Sequence, residues 1–148
     1  MGDKNTDFRE HRITSQDGLG LYVRDYGNAG SFATVVLCLA GLTRNSRDFH
    51  ALALHLCGQR RVLSMDYRGR GRSDYDYDWR NYIPITYVND VRHVLAALGV
   101  QRAFVVARIP ARHTRARATR CVTAVIRQSA LYEYRPSESK CWHLSVTP

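Results

Sequence analysis

Four cysteines, six histidines and one arginine- and glycine-rich loop are the features of this sequence most able to do chemistry. The cysteines are Cys38, Cys57, Cys121 and Cys141, and no two stand in the Cys-x-x-Cys spacing of a zinc or redox site. Cys38 lies inside an apolar run and Cys57 at the end of a helical pattern, where a free thiol serves as a small core residue. The loop Asp66-Tyr67-Arg68-Gly69-Arg70-Gly71-Arg72-Ser73 has the ingredients of an anion cradle. It lacks the Gly-x-x-x-x-Gly-Lys-Ser/Thr of a phosphate loop, and the third glycine and helix placement of a dinucleotide fingerprint. Its glycines instead allow a tight backbone path, which Asp66 can pin by accepting nearby backbone N–H groups. Arg68, Arg70 and Arg72 alternate with other residues as solvated loop cations do, so the loop reads as structural. Ser73 is followed by Asp74-Tyr75, not by x-Gly, so it sits in no nucleophile elbow and reads as a capping or loop serine.

The elements that would position such residues follow from periodicity. Phe8–Thr14 and Leu19–Tyr26 are extended segments joined through Gln16-Asp17-Gly18, and Asp-Gly is a hairpin turn signal. Thr34–Ala40 is a continuous apolar run that suits a strand covered on both faces, and it stops at Gly41. Ser46 is placed to cap a helix with Phe49, Leu52, Ala53 and Leu56 on one face, closed by Gly58. Arg61–Asp66 is a second short strand. Thr86 is placed to cap a helix with Val88, Val91, Leu95 and Leu98 on one face, closed by Gly99. Arg102–Ala107 is a third buried strand. The order, a hairpin and then β-α-β-α-β, calls for an α/β fold with a parallel sheet and right-handed crossovers.

Length and composition fit one soluble domain. The chain has 148 residues, 45% of them apolar and 24% charged, which is globular and not disordered composition. No apolar run nears the roughly 20 residues that cross a bilayer, and Met1–Asn5 opens no signal-peptide core, so a cytoplasmic, non-membrane protein is expected. The net charge of +9 is unevenly spread. Residues 1–107 carry 14 Lys+Arg against 11 Asp+Glu, whereas residues 108–148 carry 8 against 2. Residues 108–120 hold five Arg, three Ala and two Thr with neither helical nor strand periodicity. Beyond them, Thr123–Arg127 could form a short strand or a helix turn. Two kinds of sequence meet near position 107: residues 8–107 as a partial domain, and 108–148 as an irregular, Arg-rich tail, disordered or out of frame.

The series from Phe8 to Ala107 resembles the N-terminal half of the α/β-hydrolase family. The resemblance is carried by Leu37-Cys38-Leu39-Ala40-Gly41-Leu42, by Asp66–Ser73, and by the helix and strand that follow. It implies a hydrolase acting without a cofactor on an ester, amide, epoxide or carbon–halogen bond of a small-molecule substrate. In acyl-transfer members, backbone N–H groups stabilise the oxyanion of the transition state, and one donor comes from the loop after the third strand. By position that donor is the backbone N–H of Leu42; a plain strand-ending glycine turn is the alternative. Ala40 stands where the family often has His or Pro, a change that alters loop stiffness more than main-chain chemistry.

The resemblance fails where it matters most. The family nucleophile sits on the strained turn after the strand that here ends at Val106 or Ala107. The chain reads Ala107-Arg108-Ile109-Pro110-Ala111-Arg112 there, without Ser, Cys, Asp or Gly. Pro110 also removes a backbone N–H from the helix that should follow. His113, His143, Ser129, Ser137, Ser139 and Ser145 have no context that pairs them. The expectation is a chain broken near residue 107 by a frameshift, a recombination or a wrongly joined reading frame, and therefore inactive. Its strand 102–107 would then have a bare outer edge, a template for aggregation. A different class of function is phosphate binding by Arg108, Arg112, Arg115, Arg117 and Arg120 on nucleic acid or an anionic surface. No stacking aromatic interleaves those arginines, which ranks that reading second.

Overall fold

The computed structural model describes residues 7–27, 33–41, 43–109 and 120–127. Its strands are β1 (Arg9–Thr14), β2 (Gly20–Tyr26), β3 (Val35–Leu39), β4 (Val62–Met65), β5 (Arg102–Ile109) and β6 (Arg120–Arg127), and its helices are α1 (His50–Leu56) and α2 (Pro84–Ala97). They form one mixed sheet in the order β1-β2-β4-β3-β5-β6. The hairpin β1–β2 pairs antiparallel with β4 through β2, and β4, β3 and β5 run parallel.

Apolar strands with no alternation are buried on both faces here, as the sequence requires. Leu37 and Leu39 of β3 join Leu63, Met65, Ala103 and Val105 beneath Val91, Val94 and Leu95 of α2. Val36, Cys38 and Ala40 face the other way, with Val62 and Tyr26, against Phe49 and Ala53. The two helices therefore cover opposite faces, and each fully buried aliphatic side chain of α2 stabilises the fold by about 1.5–3 kcal/mol. Gly99, at φ +67°, closes α2. The Val100 N–H reaches the Leu95 carbonyl at 2.8 Å and the Gly99 N–H the Ala96 carbonyl at 3.1 Å, the paired bonds of a Schellman end.

Several local expectations need correction. Asn45, not Ser46, is the first cap: its side chain accepts from the Arg47 N–H, opening a 3₁₀ turn (Ser46–Phe49) that leads into α1. Of the face read for this helix, Phe49 and Ala53 are buried, but Leu52 is exposed. The helix ends at Leu56 with Cys57 in helical conformation, and Gly58 is not left-handed. Thr86 lies inside α2, whose start is set by Ile83 and by Pro84 in the first turn. Proline suits that position because its missing N–H would have had no helical partner. The outer edge of β5 is not bare. All eight of its residues, Arg102 to Ile109, pair antiparallel with β6, from Arg102↔Arg127 to Ile109↔Arg120. The reason is topological: an antiparallel partner needs only a return loop, whereas a further parallel strand needs a crossover of a dozen or more residues.

Candidate functional site

Open α/β sheets bind ligands beyond the carboxyl ends of their strands, where neighbouring strands send their connections in opposite directions. Here that place lies between β3 and β5. The chain leaves β3 toward β4 on one side, and β5 lies on the other side of β3. The register sets Leu39 beside Ala107, so the loop after β3 and the end of β5 are neighbours across one strand spacing.

The loop after β3 is fastened to the end of β4. The Arg44 N–H bonds the Gly41 carbonyl at 2.9 Å, turning the chain directly after the strand. The Ser46 N–H donates to Oδ1 of buried Asp66, and the hydroxyl of Ser64 donates to the Ser46 carbonyl at 3.1 Å. Leu42, whose N–H is the candidate oxyanion donor, lies outside the described residues; both flanks of its loop are held.

The loop after β4 is structural, as its composition implies. Asp66 spans two loops at once, because its Oδ2 accepts the Arg72 N–H at 2.9 Å while Oδ1 takes Ser46. Gly69 and Gly71 sit at φ +69° and +54°, and a Cβ on Gly71 would collide with the Asp66 carboxylate. Ser73 is a loop serine: its hydroxyl accepts the Tyr22 N–H at 2.8 Å and donates to the Asp66 carbonyl at 2.6 Å. Asp74 closes the loop onto the hairpin through the Gly20 N–H at 2.8 Å, a bond that lowers its carboxyl below the ordinary range.

Arg68 departs from the solvated reading. Its side chain is 2% exposed and sits among three aspartates. It meets Asp90 through Nε at 2.7 Å and Nη2 at 2.6 Å, Asp76 at 2.9 Å and Asp17 at 2.7 Å. Its hydrogen bond holds the Asp17 carboxyl down to about 2. The guanidinium thereby ties the hairpin turn, the loop after β4 and α2 into one unit. Asp90 carried the missed signal: it stands four residues before Val94, in the apolar stripe of α2, where a carboxylate demands a partner. A second buried pair does similar work at the other end of the sheet. Arg61 grips Asp25 through Nε at 3.0 Å and Nη2 at 2.9 Å, and its Nη1 donates to the Leu98 carbonyl at 3.1 Å.

Among the described residues, the end of β5, Ala107-Arg108-Ile109, holds no Ser, Cys or Asp. β5 continues as strand through Arg108 and Ile109. Pro110, Ala111 and Arg112, like His113, His143, Ser129, Ser137, Ser139 and Ser145, lie outside the described residues. So do Arg115 and Arg117 of the basic segment, while Arg108 and Arg120 pair by backbone, with Cys121 and Ile109 respectively. Among the described residues, His11 bonds Asp25 at 3.1 Å and His50 bonds the Tyr26 hydroxyl at 3.0 Å. Among them, too, no three His, Cys, Asp or Glu side chains gather as a metal site, and no helix is long and apolar enough to cross a membrane.

This sheet order and these helix faces match the N-terminal part of an α/β-hydrolase fold. Known proteins agree. An α/β hydrolase from Novosphingobium aromaticivorans superposes with a TM-score of 0.62 and 45% identity over 69% of this chain and 35% of its own. An epoxide hydrolase from Vigna radiata superposes with a TM-score of 0.62 at 23% identity, over 69% of this chain and 32% of its own, which speaks to the fold alone. In sequence, the 3-hydroxybutyrate-oligomer hydrolase of Cupriavidus necator is 40% identical over 85 residues, 56% of this chain and 29% of that protein. The chain thus spans about a third of the length of these relatives. No family model matches.

Proposed function

We propose that residues 8–107 are the oxyanion-loop half of a hydrolase scaffold built for esters, and that this chain carries no nucleophile to use it. The observation that carries the reading is the uninterrupted strand Arg102–Ile109, paired along its length with β6, where the family turns sharply to present its attacking residue. A strand in full antiparallel register has no room for a strained strand-to-helix elbow. The sequence there also offers no Ser, Cys or Asp from Ala107 to Arg112.

The ester preference rests on the 40% identity to a hydrolase named for oligomers of 3-hydroxybutyrate, whose linkages are esters. The loop Gly41-Leu42-Thr43 supplies one main-chain donor, Leu42, for the oxygen of a small-molecule carbonyl. The second donor of such a hole is the N–H after the nucleophile, and it disappears together with the elbow. Losing one donor alone slows acyl transfer by about a hundred- to a thousandfold, and losing the attacking group removes the covalent route. The test is hydrolysis of short-chain nitrophenyl esters by the purified chain. The expected result is no burst and no rate above the buffer reaction. Saturable turnover that one side-chain replacement abolishes would refute the reading.

A further inference from the structure

On the α1 face of the sheet, beside β2, lies a cavity of about 220 Å³ lined by Arg24, Asn45, Ser46, Arg47, Asp66, Gly71 and Arg72. Three arginines and one carboxylate line it, and a second carboxylate, Glu10, pairs with Arg72. The lining carboxylate, Asp66, already accepts the Ser46 and Arg72 backbone N–H groups. Arg24 is the unusual member. It is 8% exposed and makes no ion pair among the described residues, and its Nε is the one buried side-chain nitrogen or oxygen among them with no hydrogen-bond partner. Its guanidinium carbon sits 4.5 Å above the Phe8 ring and 6.0 Å from that of Tyr22, and the Tyr26 and Tyr22 hydroxyls engage the guanidinium, while its Nε stays without an acceptor. Arg72 stacks on the Tyr22 ring at 4.5 Å and gives one Nη to Glu10 and to the Tyr22 hydroxyl. Arg47 is exposed and has no side-chain partner among the described residues.

A buried, charged donor left unmade is costly, and such an atom in a folded protein calls for an acceptor. We infer that this cavity binds a small tetrahedral oxyanion, inorganic phosphate or a phosphate monoester, between Arg24, Arg47 and Arg72. Phosphate oxygens supply the several acceptors that three guanidinium groups need, and arginine forks match their geometry. Ser46 and Asn45 line the same space, with the Asn45 side-chain oxygen already accepting the Arg47 N–H. The assignment is separate from the hydrolase reading: it rests on Arg24, Arg47 and Arg72, to none of which that reading gives a part in the reaction.

The test is calorimetric titration of the full chain with inorganic phosphate at fixed ionic strength, with acetate as the carboxylate arm. The arginine Nε–H resonances are followed by NMR in parallel. Saturable phosphate binding is expected, with movement of the Arg24 Nε–H signal. Arg47→Gln, an exposed change that leaves the packing alone, should weaken binding about tenfold, as loss of one charge-assisted contact does. Arg92→Gln, exposed on α2, should leave binding unchanged. Absence of saturable binding overturns the proposal, as does equal weakening by Arg92→Gln, an unmoved Arg24 signal, or acetate binding as well as phosphate.

Discussion

Replacing Arg68 by methionine tests how the loop beside the crevice is held. The substitution keeps much of the side-chain volume but strands Asp90, 2% exposed, and Asp76, 9% exposed, without their shared cation. Breaking a buried ion pair from one side costs about 3–5 kcal/mol, a large part of the roughly 5–15 kcal/mol that holds a domain together. For a chain of this size the melting temperature should fall by about 9–15 °C, followed by circular dichroism and urea titration. The double variant Arg68→Met, Asp90→Leu removes the most deeply buried charges together and should recover most of the loss. Acidity supplies a second check. Asp17, held down to about 2 by Arg68, binds protons less readily folded than unfolded. Its contribution is therefore complete above the unfolded value of about 4 and is lost as pH falls through about 2. The variant lacks that contribution, and acid also neutralises its stranded carboxylates, so the gap between the two proteins should narrow as pH falls from 7 toward 3. A loss under about 1 kcal/mol at neutral pH, or a gap that widens in acid, would refute the structural role given to Arg68.

Further outcomes follow from single contacts. Gly71→Ala adds a left-handed penalty of about 1–2 kcal/mol to a collision with the Asp66 carboxylate, so denaturant melts should show a loss of about 2 kcal/mol or more. Ser73→Ala leaves the Tyr22 N–H and the Asp66 carbonyl without their partner and should cost about 1–3 kcal/mol by urea unfolding. Gly99→Ala meets no atom within 4 Å but keeps φ at +67°, so only the backbone penalty of about 1 kcal/mol should appear in the same assay.

Most of the sheet is legible in the sequence because burial on both faces leaves a plain mark. Val35–Leu39 and Ala103–Val106 are apolar runs with no alternation, Val62–Met65 is broken only by Ser64, and the intervening helices carry period-3.6 faces. Asp17-Gly18 marks the hairpin turn, and Gly99 ends α2 as its position suggests. The helix starts are less legible. Asn45, Ser46 and Thr86 are all chemically able to cap, and three-dimensional demand decides: the Ser46 N–H is claimed by Asp66, and Pro84 fixes the first turn of α2. Arg68 is illegible as a buried residue because its partners Asp17, Asp76 and Asp90 come from three separate segments. The pairing of β5 with β6 is hidden for a similar reason, since nothing in the arginine-rich stretch between them signals a tight turn.

We propose that the chain presents no attacking group beside the loop after β3. Exposure of the purified protein to a fluorophosphonate, followed by intact-mass measurement, tests it most directly. The expected result is an unchanged mass. A stoichiometric adduct on one serine, abolished by replacing that serine with alanine, would contradict it.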